Sequence, residues 1–112
     1  MKRIDRKEKI VDGVKIWFER WLSDKPNGRL YTGGDIFVTR LDDPETLEGH
    51  NEFYGTDWKL GEFFIVVEIY PSALNEKGEP ALPSSGIIHR EFPFTKEGEE
   101  EAREFLARHL EN

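Results

Sequence analysis

The stretch that most limits what this chain can fold into is FFIVVEIY, residues 63–70. Seven of its eight residues are β-branched or aromatic, the eighth is Glu68, and Pro71 follows. A short apolar run of that composition is a strand. Phe63, Ile65, Val67 and Ile69 alternate with Phe64, Val66, Glu68 and Tyr70, so both faces are largely apolar. Such a strand belongs in the middle of a sheet, with helices or a partner covering it. Glu68 is expected at a solvated rim or opposite Arg40 or Arg90.

A chain of 112 residues is expected to form one domain, residues 1–112, with a core that needs no staples. It contains no cysteine, which removes disulfides, thiolate metal sites and cysteine nucleophiles and suits a reducing cytoplasm. No apolar run approaches the roughly 20 residues of a spanning helix, and the charged N-terminus lacks the apolar segment of a signal peptide. A 35% charged fraction, one Met and no Gln lean toward a thermophile's composition. The net charge of −7 argues against a nucleic-acid or anionic-membrane binder, which would carry a basic footprint. That charge is unevenly placed. Residues 1–20 hold seven Lys/Arg against four Asp/Glu, so the acidity lies further along and the molecule is expected to be dipolar.

Residues 5–22 fit a helix better than strands. Ile10, Val11, Val14, Trp17, Phe18, Trp21 and Leu22 share one helical stripe, and Asp5 with Glu8 makes a capping pattern. The competing signal is Asp12-Gly13 between Val11 and Val14, the dipeptide of a two-residue hairpin. Trp17 and Trp21 are expected in the core rather than on a stacking platform. Residues 29–41 form a strand with Ile36 and Val38 on one face, and Gly33-Gly34 marks a bulge or bend rather than a phosphate loop. Residues 71–84 form a hairpin link. Residues 86–94 give a third strand, and residues 95–110 a final helix capped by Thr95, with Ala102, Phe105, Leu106, His109 and Leu110 on its inner face. The predicted fold is therefore α+β, a three-stranded antiparallel sheet with an N-terminal and a C-terminal helix in the order α-β-β-β-α. Double-stranded-RNA-binding domains share that order, but they place basic residues where Glu97, Glu99, Glu100 and Glu101 stand here.

The least ordinary stretch is the predicted loop of residues 42–62, between the first two strands. It carries Asp42, Asp43, Glu45, Glu48, Glu52, Asp57 and Glu62 against Lys59 alone, with Phe53, Tyr54 and Trp58 among them. Three large aromatics are uncommon in a disordered linker, so this loop is expected to be ordered. The aromatics then either fold onto the core or form an anchor with a charged rim. The second outcome makes Asp42, Asp43, Glu45, Glu48, Glu52, Phe53, Tyr54, Asp57 and Trp58 a partner-binding set. The expected function is a non-catalytic acidic module that covers a basic surface on another protein, an inhibitor or nucleic-acid mimic of the kind small viral antagonists use.

The alternative is a small-ligand binder or metal-dependent enzyme built on the same loop and sheet face, and a third option is self-association through that face. Hydrolytic or metal chemistry would draw on His50 with Glu48 and Glu52, or on His89 with Glu91 and Glu68 as a proton-transfer cluster. No HExxH, calcium-loop or nucleophile-elbow pattern supports either, Ser84-Ser85-Gly86 included, so no catalytic residue, metal or cofactor is assigned.

Overall fold

The computed structural model describes residues 1–81 and 86–111. Five strands form one antiparallel sheet in chain order: β1 (Lys2–Val11), β2 (Val14–Leu22), β3 (Tyr31–Arg40), β4 (Phe63–Leu74) and β5 (Ile88–Pro93). Helix α1 (Pro44–Tyr54) stands between β3 and β4, and α2 (Lys96–Leu110) closes the chain. The architecture is β-β-β-α-β-β-α, which replaces the three-stranded α-β-β-β-α arrangement predicted from sequence and removes the shared order with double-stranded-RNA-binding domains. FFIVVEIY is the core of β4, with β3 and β5 on its two sides. The strand runs on past Pro71, whose missing N–H costs little because the β5 ladder has ended at Ile69.

The expected N-terminal helix is a hairpin. Asp12 and Gly13 both adopt positive φ, 50° and 78°, the conformation of a two-residue turn matched to the twist of its strands. β1 is mostly exposed and charged, which keeps this edge of the sheet from pairing with other chains. β2 carries apolar residues on both faces, Trp17 and Trp21 toward α2 and Ile16 and Phe18 on the other, and that double pattern imitates a helical stripe.

On one face, Ile36, Val38, Ile65, Val67, Ile69 and Phe92 pack against Ala102, Phe105, Leu106 and Leu110 of α2. Gly34 lets the helix approach: a Cβ there would lie 2.5 Å from Leu106 Cδ1. The register also shifts between Tyr31 and Gly33, a bulge beside the glycine pair. Thr95 caps α2, accepting from the Gly98 N–H at 2.9 Å.

A buried carboxylate ties this face together. Glu19 accepts two bonds from Arg103 at 2.9 and 3.1 Å and one from Trp21 Nε1 at 2.9 Å, and Arg6 also reaches it. Both guanidinium groups also lie over the Trp17 ring, so Trp17 and its cations brace β1, β2 and α2 together. Burial pushes the Glu19 carboxyl up. The hydrogen bonds from Arg103 and Trp21 and the charges of Arg103 and Arg6 outweigh it, leaving the group below the usual carboxylate range.

Candidate functional site

The predicted acidic loop contains a helix. Asp43 adopts extended backbone and its Oδ2 accepts from the Thr46 N–H at 2.9 Å, Pro44 takes the first turn, and Gly55 ends α1 in the left-handed conformation at φ 67°. The hydrogen bonds from Thr46 hold the Asp43 carboxyl below its ordinary range. No residue of α1 is fully buried. Glu45, Glu48 and Glu52 recur at i, i+3 and i+7 on its exposed side. Phe53 stands beside them with 81% of its surface exposed, edge-on to Tyr54 at 4.8 Å, and Leu60 follows at 52% exposed. The result is an acidic ridge with an apolar tip.

The inner side of α1 is fastened to β4 and β5. Asn51 closes the following turn: its Oδ1 accepts from Thr56 Oγ1 and the Trp58 N–H, and its Nδ2 donates to the Trp58 carbonyl. That turn lays Trp58 flat on Phe64, with ring centroids 4.7 Å apart, and its indole N–H donates to Glu91 Oε1 at 2.7 Å. The other oxygen of Glu91 meets two imidazoles, His89 Nε2 at 2.7 Å and His50 Nε2 at 2.6 Å, the latter off the hydrogen-bonding direction. Tyr54 stacks on His89 at 4.1 Å, and His89 Nδ1 faces Glu68 at 3.4 Å. Glu68 therefore meets His89 rather than Arg40, which pairs with Asp12 and Asp42, or Arg90, which lies over Phe92 and Phe105 on the opposite face.

The α1-side face of the sheet is ordered in cross-strand rows. One row is polar throughout: Asp5, Arg20, Asp35, Glu68 and His89. Within it Arg20 grips Asp35 through two bonds of 2.8 and 3.0 Å, and the Tyr70 hydroxyl donates to Asp35 at 3.2 Å. Burial, then the charges of Asp35 and Glu68, push the Tyr70 phenol well up. The next row runs Lys7, Phe18, Phe37, Val66 and Glu91, apolar between a cation and an anion. Phe18 and Phe37 pack at 6.0 Å, with Lys7 and Arg20 over the Phe18 ring. This half of the face is not roofed by α1.

The nine residues expected to bind a partner separate into two groups. Glu45, Glu48, Glu52, Phe53 and Asp57 are exposed on α1 or the turn after it, whereas Tyr54 is stacked on His89 and belongs with the residues that fasten the helix. Asp42 is bound to Arg40, Asp43 is the helix cap, and Trp58 is a prop beneath the helix. His50 points inward, away from Glu48 and Glu52, and joins the His89, Glu91 and Glu68 cluster that the sequence suggested separately. Among the described residues no group of three or more His, Asp or Glu side chains is placed to hold a metal ion, and no helix is long and apolar enough to cross a membrane. His109 packs on Phe105, its Nδ1 2.9 Å from the Phe105 carbonyl oxygen. Ser84 and Ser85 lie outside the described residues. Sequence reasoning missed Lys7, Phe18 and Phe37 as neighbours, and the signal that would have aligned the first two was the Asp12-Gly13 turn. Comparison with family models, with curated proteins and with solved structures finds no match to this chain.

Proposed function

We propose that this chain is a non-catalytic interaction module that offers α1 to a protein with a basic surface. The observation that carries this is Phe53, 81% exposed at the end of a helix whose outer side is Glu45, Glu48 and Glu52 and whose inner side is fixed to the sheet. An exposed phenylalanine costs solubility, and a helix pinned from beneath loses little freedom when a partner takes its outer side. The ring would anchor in an apolar pocket while the acids steer encounter and meet Lys or Arg at the rim. Where the basic surface is a nucleic-acid site, occupying it would inhibit, so the module would act as an inhibitor by occlusion.

A comparison of proteins captured from the source cell's lysate by the wild type and by a folded F53A/E48K/E52K variant tests this. A basic protein retained by the wild type, released by salt and lost from the variant is the expected result. Identical capture by both would refute the proposal.

A further inference from the structure

The part of the α1-side face that α1 leaves open holds a trough of about 300 Å³ over β1, β2 and β3. It exists because the ladder between β2 and β3 ends at Phe18 and Phe37 although both strands run on, so the sheet parts there. Ile16, Phe18 and Phe37 form the apolar floor with Trp17 and Val38, and Thr39 lies beside them. Lys7, Glu8 and Lys9 of the edge strand line the rim, where the Glu8 carboxylate is already taken up by Arg6 and Lys15. Lys7 is only loosely held, 3.7 Å from Asp5. An apolar floor beside two cations suits an occupant that is aromatic at its tip and anionic around it. Phe53 with Glu48 and Glu52 has that composition. They cannot reach the trough of their own chain, because His50, Tyr54 and Trp58 fasten that segment over β4 and β5.

We infer that the occupant is α1 of a second copy, in a dimer that closes on itself. Phe18, Phe37, Val66 and Glu91 stand in one cross-strand row, and Thr39, Phe64 and Pro93 in the next. The trough occupies the β1 to β3 end of these rows, and α1 sits over the other end, with His50 against Phe64 and Glu91. Ridge and trough are therefore level along the strand direction. A two-fold axis parallel to the strands and above β3 reverses strand order while keeping that level, so each ridge lies on the other copy's trough. The two contacts are identical and the interface is isologous. The dimer rests on α1 being an interaction surface, and it would compete with any other basic partner for that ridge.

Sedimentation of the full chain over a concentration series, beside the variants K7E/K9E and E48K/E52K, tests the dimer, with circular dichroism confirming that each is folded. The wild type is expected to approach twice the monomer mass as concentration rises, less readily in high salt. Each variant alone stays monomeric. An equal mixture of the two regains the dimer, because both contacts again join opposite charges, one of them with the signs exchanged. F53A weakens association by about tenfold at each contact, about a hundredfold for the pair. A wild type that is monomeric throughout, a dimer indifferent to both charge reversals, or a mixture that stays monomeric would overturn the inference. A monomeric wild type whose α1 variant still loses another protein would overturn the dimer and leave the proposed function standing. A charge-sensitive dimer with no other partner would support the dimer and remove the need for a foreign target.

Discussion

Glu19→Gln removes one charge from the most buried carboxylate in the described chain, and its cost follows from the hydrogen bonds that the carboxylate accepts. Glu19 is 2% exposed and receives two charge-assisted bonds from Arg103, a further one from Arg6 and the Trp21 N–H. Glutamine keeps the shape and one acceptor oxygen, enough for Trp21, but turns an NH2 toward guanidinium groups that need an acceptor. Hydrogen bonds to charged groups contribute about 1.5–3 kcal/mol each. Arg6 and Arg103 are 29% and 34% exposed and can recover some hydration, so the lower end applies. Two such bonds at about 1.5 kcal/mol give a loss of about 3 kcal/mol at neutral pH, within the range for breaking a buried ion pair. For a domain of this size that lowers Tm by about 12 °C.

The pH dependence supplies a second readout. A folded-state carboxyl held below its unfolded value of about 4.3 contributes stability above that pH, which is lost as pH falls through the folded value. The variant lacks this group, so its stability should fall less steeply than the wild type's below about pH 4.3. Urea unfolding at neutral pH and through the acid range measures both. A loss under about 1 kcal/mol, or acid slopes that coincide, would refute the idea that Glu19 braces β1, β2 and α2.

Three further substitutions test other parts of the fold. Gly13→Ala should cost about 1–2 kcal/mol in chemical denaturation, because φ is 78° there; a gain in stability would instead favour a helix over residues 5–22. Trp58→Phe keeps the stack on Phe64 but leaves Glu91 Oε1 without its donor, so a loss of about 1–2 kcal/mol with faster amide exchange in α1 is expected, and unchanged exchange would count against Trp58 as its prop. The raised Tyr70 phenol contributes stability that is full below its unfolded value of about 10 and is lost as pH rises toward the folded value, so Tyr70→Phe should flatten the alkaline limb of the stability profile; identical limbs would refute this.

Two parts of this fold are legible in sequence, a helix with one buried stripe and a strand buried on both faces. The final helix showed itself through Thr95 and the Ala102, Phe105, Leu106, Leu110 stripe, and the strand at residues 63–70 through its length and β-branching. β1 and β2 were hidden by opposite effects. β1 has almost no buried residue to mark its period, whereas β2 buries Trp17 and Glu19 under α2 and Ile16 on the trough side, so alternation disappears. The Asp12-Gly13 turn was the correct signal, and a stripe of seven apolar residues outweighed it. α1 was missed because it buries nothing completely, although Asp43, Pro44 and Gly55 marked its ends. The acids and aromatics of residues 42–62 were noticed as a set. Their division into a ridge, a cap and a prop depends on Asn51 and on Glu91, which is 40 positions away from Asn51 and adjacent only through the sheet.

The central claim is that the outer side of α1 is where this protein meets another polypeptide. The most direct measurement replaces Phe53 with a benzophenone amino acid, irradiates in cell lysate, and compares adducts with those from the same group at Arg108, a position 65% exposed on α2. A discrete adduct from position 53, to another protein or to a second copy, and none from position 108 is the predicted result. No adduct from position 53, or the same adducts from both positions, would contradict it.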